Sequence, residues 1–358
     1  MSFLYLTADK VGMKSGGGAV THHESEALKS LGSTEVWGRG ELTCDGPDPW
    51  GWDGCAFNKL NTTLFLEPIG LCHGYSGTFT DTIRGLKDNG VKVAWTCAAH
   101  DVQASRQAHL DLGVPYDQLY PHLVQPDLWK RYSAGYFDAD VLVCPSTHSE
   151  KVLREQGAKN RIVVIPHGCD LPEKVAPLPA SFRVGYLGAI GPDKGLIYLL
   201  QAWKNLNYKD ATLVIGGKES TSPGMMSMLN HFGGGNVQLL GWVENVSDFY
   251  DQVSLYVQPS VSEGWGIEVV EAAAHGRAVL CSTGAGAADF VCAGSLTDSI
   301  GSVVPPCNVG GLTVFLDWYK KNPAVLEREG AAGAEFAKGY HWDKIRSRYV
   351  GLWKGLLV

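Results

Sequence analysis

Short apolar runs bounded by glycine recur along this chain. Phe3 to Thr7, Glu35 to Trp37, Leu64 to Leu66, Val91 to Cys97, Ala139 to Ser146 with its exit turn, Arg183 to Leu187, Ala211 to Ile215, Val237 to Leu240, Val253 to Val257 and Ala278 to Cys281 read as strands. Stretches with helical spacing alternate with them. They predict helices over Ala19–Leu31, Thr80–Lys87, Leu128–Phe137, Ser149–Gln156, Leu196–Leu206, Val246–Tyr250, Ile267–His275 and Ile345–Leu357. Strands alternating with helices predict an α/β fold built on parallel sheets. Leu171 to Pro179 carries three prolines and reads as a linker. It divides the chain into a domain over 1–170, a second over 171–340, and a terminal helix over 341–358.

The stretch from Pro259 to Gly276 organises the second half. The buried strand Val253–Val257 leads into a loop with Glu263, then Gly264-Trp265-Gly266, then the helix from Ile267, which Gly276 closes. Strand, glycine-rich loop and helix start together present free N–H groups and the positive end of a helix dipole to an anion. In an open α/β sheet this place lies beyond the carboxyl ends of the strands, where ligands bind. Glu263 and Glu271 are eight positions apart on that loop and helix. Carboxylates beside a phosphate site suit a ligand with both phosphates and hydroxyls, such as a nucleotide sugar. The plainer readings are a helix cap for Glu263 and an exposed helix carboxylate for Glu271.

Composition narrows the class. The chain has 358 residues and a net charge of −7, which argues against a broad basic surface for nucleic acid. Its nine cysteines form no C-x-x-C pair and read as reduced thiols of a cytosol-like compartment. No transmembrane run or signal peptide stands out, so a cytoplasmic location is expected.

Three further places carry candidate chemistry. Gly16, Gly17 and Gly18 sit between the first strand and its helix, the shape of a phosphate-binding turn or simply of a flexible one. His100 and Asp101 end the strand Val91–Cys97, where a histidine can donate a hydrogen bond or shuttle a proton, and Arg106 follows a turn and a half later. The loop Thr43–Asn58, with Trp50 and Trp52, has no periodicity. Its aromatics suit either stacking on a ring-shaped acceptor or pinning of the loop.

The central stretch, S-x-x-E-G-x-G-x-x-x-x-E-A-x-A-x-G over Ser260 to Gly276, resembles the signature of the retaining GT-B glycosyltransferases, family 4 (glycosyl transferases group 1). Trp265 stands where that family often has Phe. Four other segments match in part: His100-Asp101, Ala139 to Ser146, Ile165 to Asp170, and Gly188 to Gly195, the last being similar to G-R-L-x-x-x-K-G. Gly241-Trp242-Val243 is similar to the family's L-G-x-V segment. The resemblance implies two Rossmann-like domains facing across a cleft, with the C-terminal helix crossing back to the first domain. It implies transfer of a sugar from a UDP- or GDP-linked donor with retention of anomeric configuration, and no metal or other cofactor. The catalytic candidates it implies are Glu263, His100 and Asp101. The donor-binding candidates are Gly16, Gly17, Gly18, Lys194, Gly264, Trp265, Gly266, Ile267, Glu271, Val243 and Lys218, with Asp289 in a further acidic position.

One departure matters. Ala189 stands where the pattern has an arginine that holds the donor diphosphate, and a single lysine cannot reproduce a bidentate fork. Lys218 is the candidate replacement. The departure keeps a non-catalytic nucleotide-sugar or glycan-binding module among the readings, beside other GT-B enzymes such as an epimerase or a phosphorylase. The acceptor is open: a soluble glycan, a metabolite, a protein, or a modified nucleic-acid base. Asp138-x-Asp140 and His22-His23-Glu24 carry metal-ligand letters, and both read better as structural positions.

Overall fold

The computed structural model describes residues 2–7, 16–37, 69–75, 79–99, 101–113, 133, 137–217, 229, 231–232, 235–294 and 299–358. They form two compact units. The first takes the described residues within 1–99, 120–167 and 342–358; the second takes those within 100–119 and 168–341. The loop over 43–58, the strand over 64–66 and all of the helix over 128–137 except Ser133 and Phe137 lie outside the described residues, as do His100 and Lys218.

In the first unit, β1 (Ser2–Thr7), α1 (Gly16–Lys29), β2 (Thr34–Trp37), β3 (Ile69–Tyr75), α2 (Thr80–Asp88) and β4 (Lys92–Thr96) come first. The chain then passes to the second unit as α3 (Val102–Asp111) and returns as β5 (Val141–Cys144), α4 (Thr147–Glu155) and β6 (Arg161–Val164). The sheet runs β2-β1-β3-β4-β5-β6, every pair parallel. α1 begins at Gly16, so the three glycines form its first turn and not a loop before it.

The second unit continues with β7 (Phe182–Leu187), α5 (Leu196–Leu206), β8 (Ala211–Gly216), β9 (Val237–Gly241), α6 (Val246–Asp251), β10 (Leu255–Gln258), α7 (Ile267–Ala274), β11 (Ala278–Ser282), α8 (Ala288–Cys292), β12 (Gly301–Val304), α9 (Val309–Lys321) and α10 (Pro323–Ala337). Its sheet, β12-β11-β10-β7-β8-β9, is also wholly parallel. Parallel strands are covered on both faces and so read as unbroken apolar runs. Alternate residues serve opposite faces. Leu213, Leu255 and Leu280 pack on one side, while Val214, Tyr256 and Val279 pack on the other. The strand order reverses at β7, with β8 on one side and β10 on the other. The loops leaving β7 and β10 therefore flank the topological switch point, where open α/β sheets bind ligands.

The last helix, α11 (Trp342–Leu356), belongs to the first unit and is tied there by a buried polar cluster. Tyr5 Oη and Thr96 Oγ1 donate to Glu24 at 2.6 and 2.8 Å. Trp353 Nε1 donates to His73 Nδ1 at 3.2 Å. His73 Nε2 lies 3.1 Å from Thr96 Oγ1 and 3.3 Å from Glu24 Oε2. The metal-like letters resolve here as structure. Glu24 is inside this cluster, and His23 stacks on Trp342 at 4.0 Å. Asp138 takes Arg84 Nε at 2.8 Å, and Asp140 Oδ2 accepts the Val93 N–H at 2.8 Å.

Candidate active site

The loop after β7 ends in a short 3-10 turn, Pro192–Lys194, followed by Gly195. Gly195 has φ +65°, and a Cβ there would meet the Pro259 carbonyl oxygen at 2.0 Å. Only glycine lets the two switch-point loops come this close. They are then stitched together: the Val261 and Ser262 N–H groups donate to the Asp193 carbonyl at 2.6 and 3.4 Å. This contact brings Lys194 from one loop onto Glu263 from the other.

Lys194 Nζ is ion-paired with Glu263 Oε1, with side chains 24% and 11% exposed. The second carboxyl oxygen, Oε2, accepts from Gln258 Nε2 at 2.8 Å and from Ser260 Oγ at 2.7 Å. Gln258 in turn accepts from Tyr256 Oη. The Glu263 backbone is held on both sides, its N–H to the Gly284 carbonyl at 2.9 Å and its carbonyl to the Gly286 N–H at 3.0 Å. Burial works to lower the Lys194 pKa, but the carboxylates of Glu263 and then Glu268 outweigh it, so the net shift is upward and the ammonium stays charged.

Gly266, at φ +96°, turns the chain into α7. A helix start leaves its first N–H groups without intrahelical acceptors, and Glu268 lies in that first turn. Burial and then the Glu263 charge push the Glu268 carboxyl up, against the pull of Lys194. One turn on, Glu271 accepts from Tyr250 Oη at 2.9 Å. Burial, then the Glu268 charge, move Glu271 up to about 8, with Tyr250 opposing. Glu271 is therefore mostly a neutral carboxylic acid at pH 7. Among the described residues Glu263, Glu268 and Glu271 crowd around Lys194, and burial and mutual repulsion push the carboxyls of Glu268 and Glu271 up.

The other residues singled out by sequence fall as follows. Asp101 is next to the site, its backbone N–H donating to Ser262 Oγ at 2.7 Å. Its carboxyl Oδ1 caps α3, accepting the Gln103 and Ala104 N–H groups at 3.0 Å each. Arg106 is on the exposed face of α3. The Trp265 indole is buried and stacked on Tyr340, ring centroids 6.1 Å apart, so its side chain serves the core. Gly264 and Ile267 flank it at the entrance to α7. Val243 packs against Gly216 and the sheet face below. Ala189 offers its carbonyl to Tyr186 Oη at 2.8 Å, and Asp289 lies in the first turn of α8. Gly16, Gly17 and Gly18 open α1 in the first unit.

Sequence reading did not single out Asp193, Tyr250, Gln258, Ser262 or Glu268. Gln258 carried a signal: an amide at the end of a wholly buried strand needs buried partners.

Residues 181–314 match the family described as Glycosyl transferases group 1, and this segment contains the whole Lys194–Glu271 site. An uncharacterized glycosyltransferase of Methanocaldococcus jannaschii is 26% identical over 210 residues, covering 58% of this chain and 57% of that protein. The capsular polysaccharide biosynthesis glycosyltransferase CapM of Staphylococcus aureus is 26% identical over 241 residues, covering 60% of this chain and 62% of that protein. The matched region thus spans less than two thirds of these relatives. Among solved structures, a sucrose-phosphate synthase of Thermosynechococcus elongatus superposes with a TM-score of 0.77 at 18% identity, over 99% of both chains. The fold is GT-B. Among the described residues no helix is long and apolar enough to cross a membrane.

Proposed function

We propose that the protein is a glycosyltransferase that moves a sugar from a nucleotide-sugar donor, UDP- or GDP-linked, to an acceptor hydroxyl with retention and without a metal ion. The observation that carries this is the Lys194–Glu263 pair at the switch point of the second sheet, beside the start of α7. The family match over residues 181–314 and the relatives named glycosyltransferases support it.

Departure of the nucleoside diphosphate leaves positive charge on the anomeric carbon and negative charge on phosphate oxygen. Lys194 and the N–H groups of α7 serve the phosphate charge, and Glu263 serves the sugar and its hydroxyls. Glu271, protonated near neutrality, both donates to and accepts from ribose hydroxyls. In the retaining scheme the bond from C1 to phosphate oxygen breaks. The acceptor oxygen bonds C1 on the same face, and the acceptor proton passes to the leaving phosphate. In this reading His100 and Asp101 are the residues assigned to the donor sugar. Val243 and Lys218 are further residues assigned to the donor in this reading. The acceptor is a soluble glycan, a metabolite, a protein or a modified base, and the protein works in the cytoplasm.

The test is incubation with UDP-, GDP- and ADP-sugars, following nucleoside diphosphate release by mass spectrometry. Slow release from one donor, abolished in Glu263→Ala, is expected. Ala189 favours a second reading, a non-catalytic nucleotide-sugar-binding module. Thermal protection by a nucleotide sugar with no release in the presence of any acceptor tried supports that instead.

A further inference from the structure

The residues just before Lys194 and Glu263 both lie against one helix, α3. Ser262 precedes Glu263, is 1% exposed, and accepts the Asp101 N–H at 2.7 Å. Asp193 precedes Lys194. Its carbonyl holds the Val261 and Ser262 N–H groups, and its buried Oδ1 faces His109 Nδ1 at 3.5 Å on the last turn of α3. His109 is 2% exposed, and its Nδ1 also lies 2.8 Å from the Ser105 carbonyl, so Nδ1 carries the proton. Beyond it, Leu112 packs against the core of the second unit. The two contacts sit at opposite ends of a ten-residue helix that belongs to that same unit.

We propose that Ser262 and Asp193 are positioning residues for the Lys194–Glu263 pair, and that α3 is the brace through which they act. This rests on the transferase reading of the site. Asp193 ties the two loops to each other through its carbonyl, and α3 holds them from outside through the Asp101–Ser262 hydrogen bond, with His109 lying against the Asp193 side chain at 3.5 Å. Displacing a charged group by about 1 Å can cost about a hundredfold in rate. A brace acting one residue from each charge governs how well the pair meets a transition state more than how tightly it holds the ground state.

The experiment has two arms. In the first, amide hydrogen exchange is measured on wild type and Ser262→Ala. Faster exchange over residues 102–112, with the unfolding midpoint shifted by only a few degrees, is expected. Unchanged exchange there overturns the brace, whatever the protein catalyses. In the second arm, kcat and KM are measured with the donor that wild type turns over. Ser262→Ala is expected to lower kcat about tenfold with little change in KM, the size of one hydrogen bond's worth of misplacement. Ser262→Thr, which keeps the acceptor oxygen, is expected to restore most of it. His109→Leu, from the far end of the helix, is expected to repeat the kcat loss and serves where a Ser262 variant fails to fold. An unchanged kcat in Ser262→Ala, or an equal loss in the Ala and Thr variants, overturns the proposal. Failure of wild type to turn over any donor counts against the transferase reading, while the exchange arm still decides the brace.

Discussion

Glu263→Gln removes one negative charge and almost no volume, and the structure says where the cost falls. Among the described residues the carboxylate takes Lys194 on one oxygen, and Gln258 and Ser260 on the other. The amide that replaces it keeps one acceptor oxygen. Its NH2 must face either the Lys194 ammonium or the Gln258 amide, and both of those are donors. One charge-assisted bond is lost, about 1.5–3 kcal/mol. Lys194 is also left in a largely buried place without its carboxylate, and relief comes only by moving toward Glu268. A total of about 2–4 kcal/mol follows, at the low end of what breaking a buried pair costs, because the lysine is a quarter exposed. Lys194→Met should cost about 1–2 kcal/mol, since Gln258 and Ser260 still satisfy half of the carboxylate. If the two groups act on each other, the double variant should lose less than the sum of the two single losses, by about 1–2 kcal/mol. Urea unfolding of the four proteins, followed through the transition of the second unit, measures that difference. Repeating it in high salt separates a built pair from a surface one, because exposed pairs are screened and this one largely is not. Additive losses, within about 0.5 kcal/mol, or a coupling that disappears in salt, would refute this reasoning.

Three further outcomes are expected. Gly195→Ala puts a Cβ against the Pro259 carbonyl in a left-handed residue, so the two loops must part. A stability loss of about 2 kcal/mol or more and loss of donor binding are expected in denaturant titration and calorimetry. Glu271 has a folded pKa raised to about 8, above its unfolded value of about 4.3, so its favourable contribution is complete below about pH 4.3 and is lost as pH rises to about 8. Glu271→Gln should therefore gain on wild type in unfolding midpoint from pH 5 to pH 8, and parallel curves would contradict this. Glu24 goes the other way: burial works to raise it, His73, Tyr349 and Tyr5 outweigh that, and the net shift is downward. Its contribution is present above about pH 4.3 and lost as pH falls through its folded value, so Glu24→Gln should flatten the acid side of the pH–stability curve.

How much of this could be read from the sequence depends on the range of the interactions. The strands β8, β10 and β11 of the second sheet were legible because both faces of each are largely buried, so their apolar runs are unbroken. The passage from β10 through Gly266 into α7 was legible because the glycines mark turns that other residues resist. Lys194 and Glu263 could be named individually, but their ion pair could not. It depends on the strand order that makes β7 and β10 neighbours, and that order is a tertiary fact. Asp101 carries a local signal besides its place beside the site. An Asp before a helical stretch is an N-cap by ordinary propensity, and the structure uses it so. The assignment of α3 to the second unit had no sequence signal, because it lies between two strands of the first. The helices α9 and α10 follow each other directly at Asn322 and Pro323, with no polar loop to mark the join. The triple glycine was read as a loop because glycine resists helix. In the fold it forms the first turn of α1, where the helix has only begun.

The most direct test of the donor site is calorimetric titration of UDP and GDP into wild type and Lys194→Met. The account predicts that wild type binds one of them and that the variant binds it at least about tenfold more weakly, the loss of one charge-assisted phosphate contact. Equal affinity in the two proteins, or no binding of either nucleotide by wild type, would contradict it.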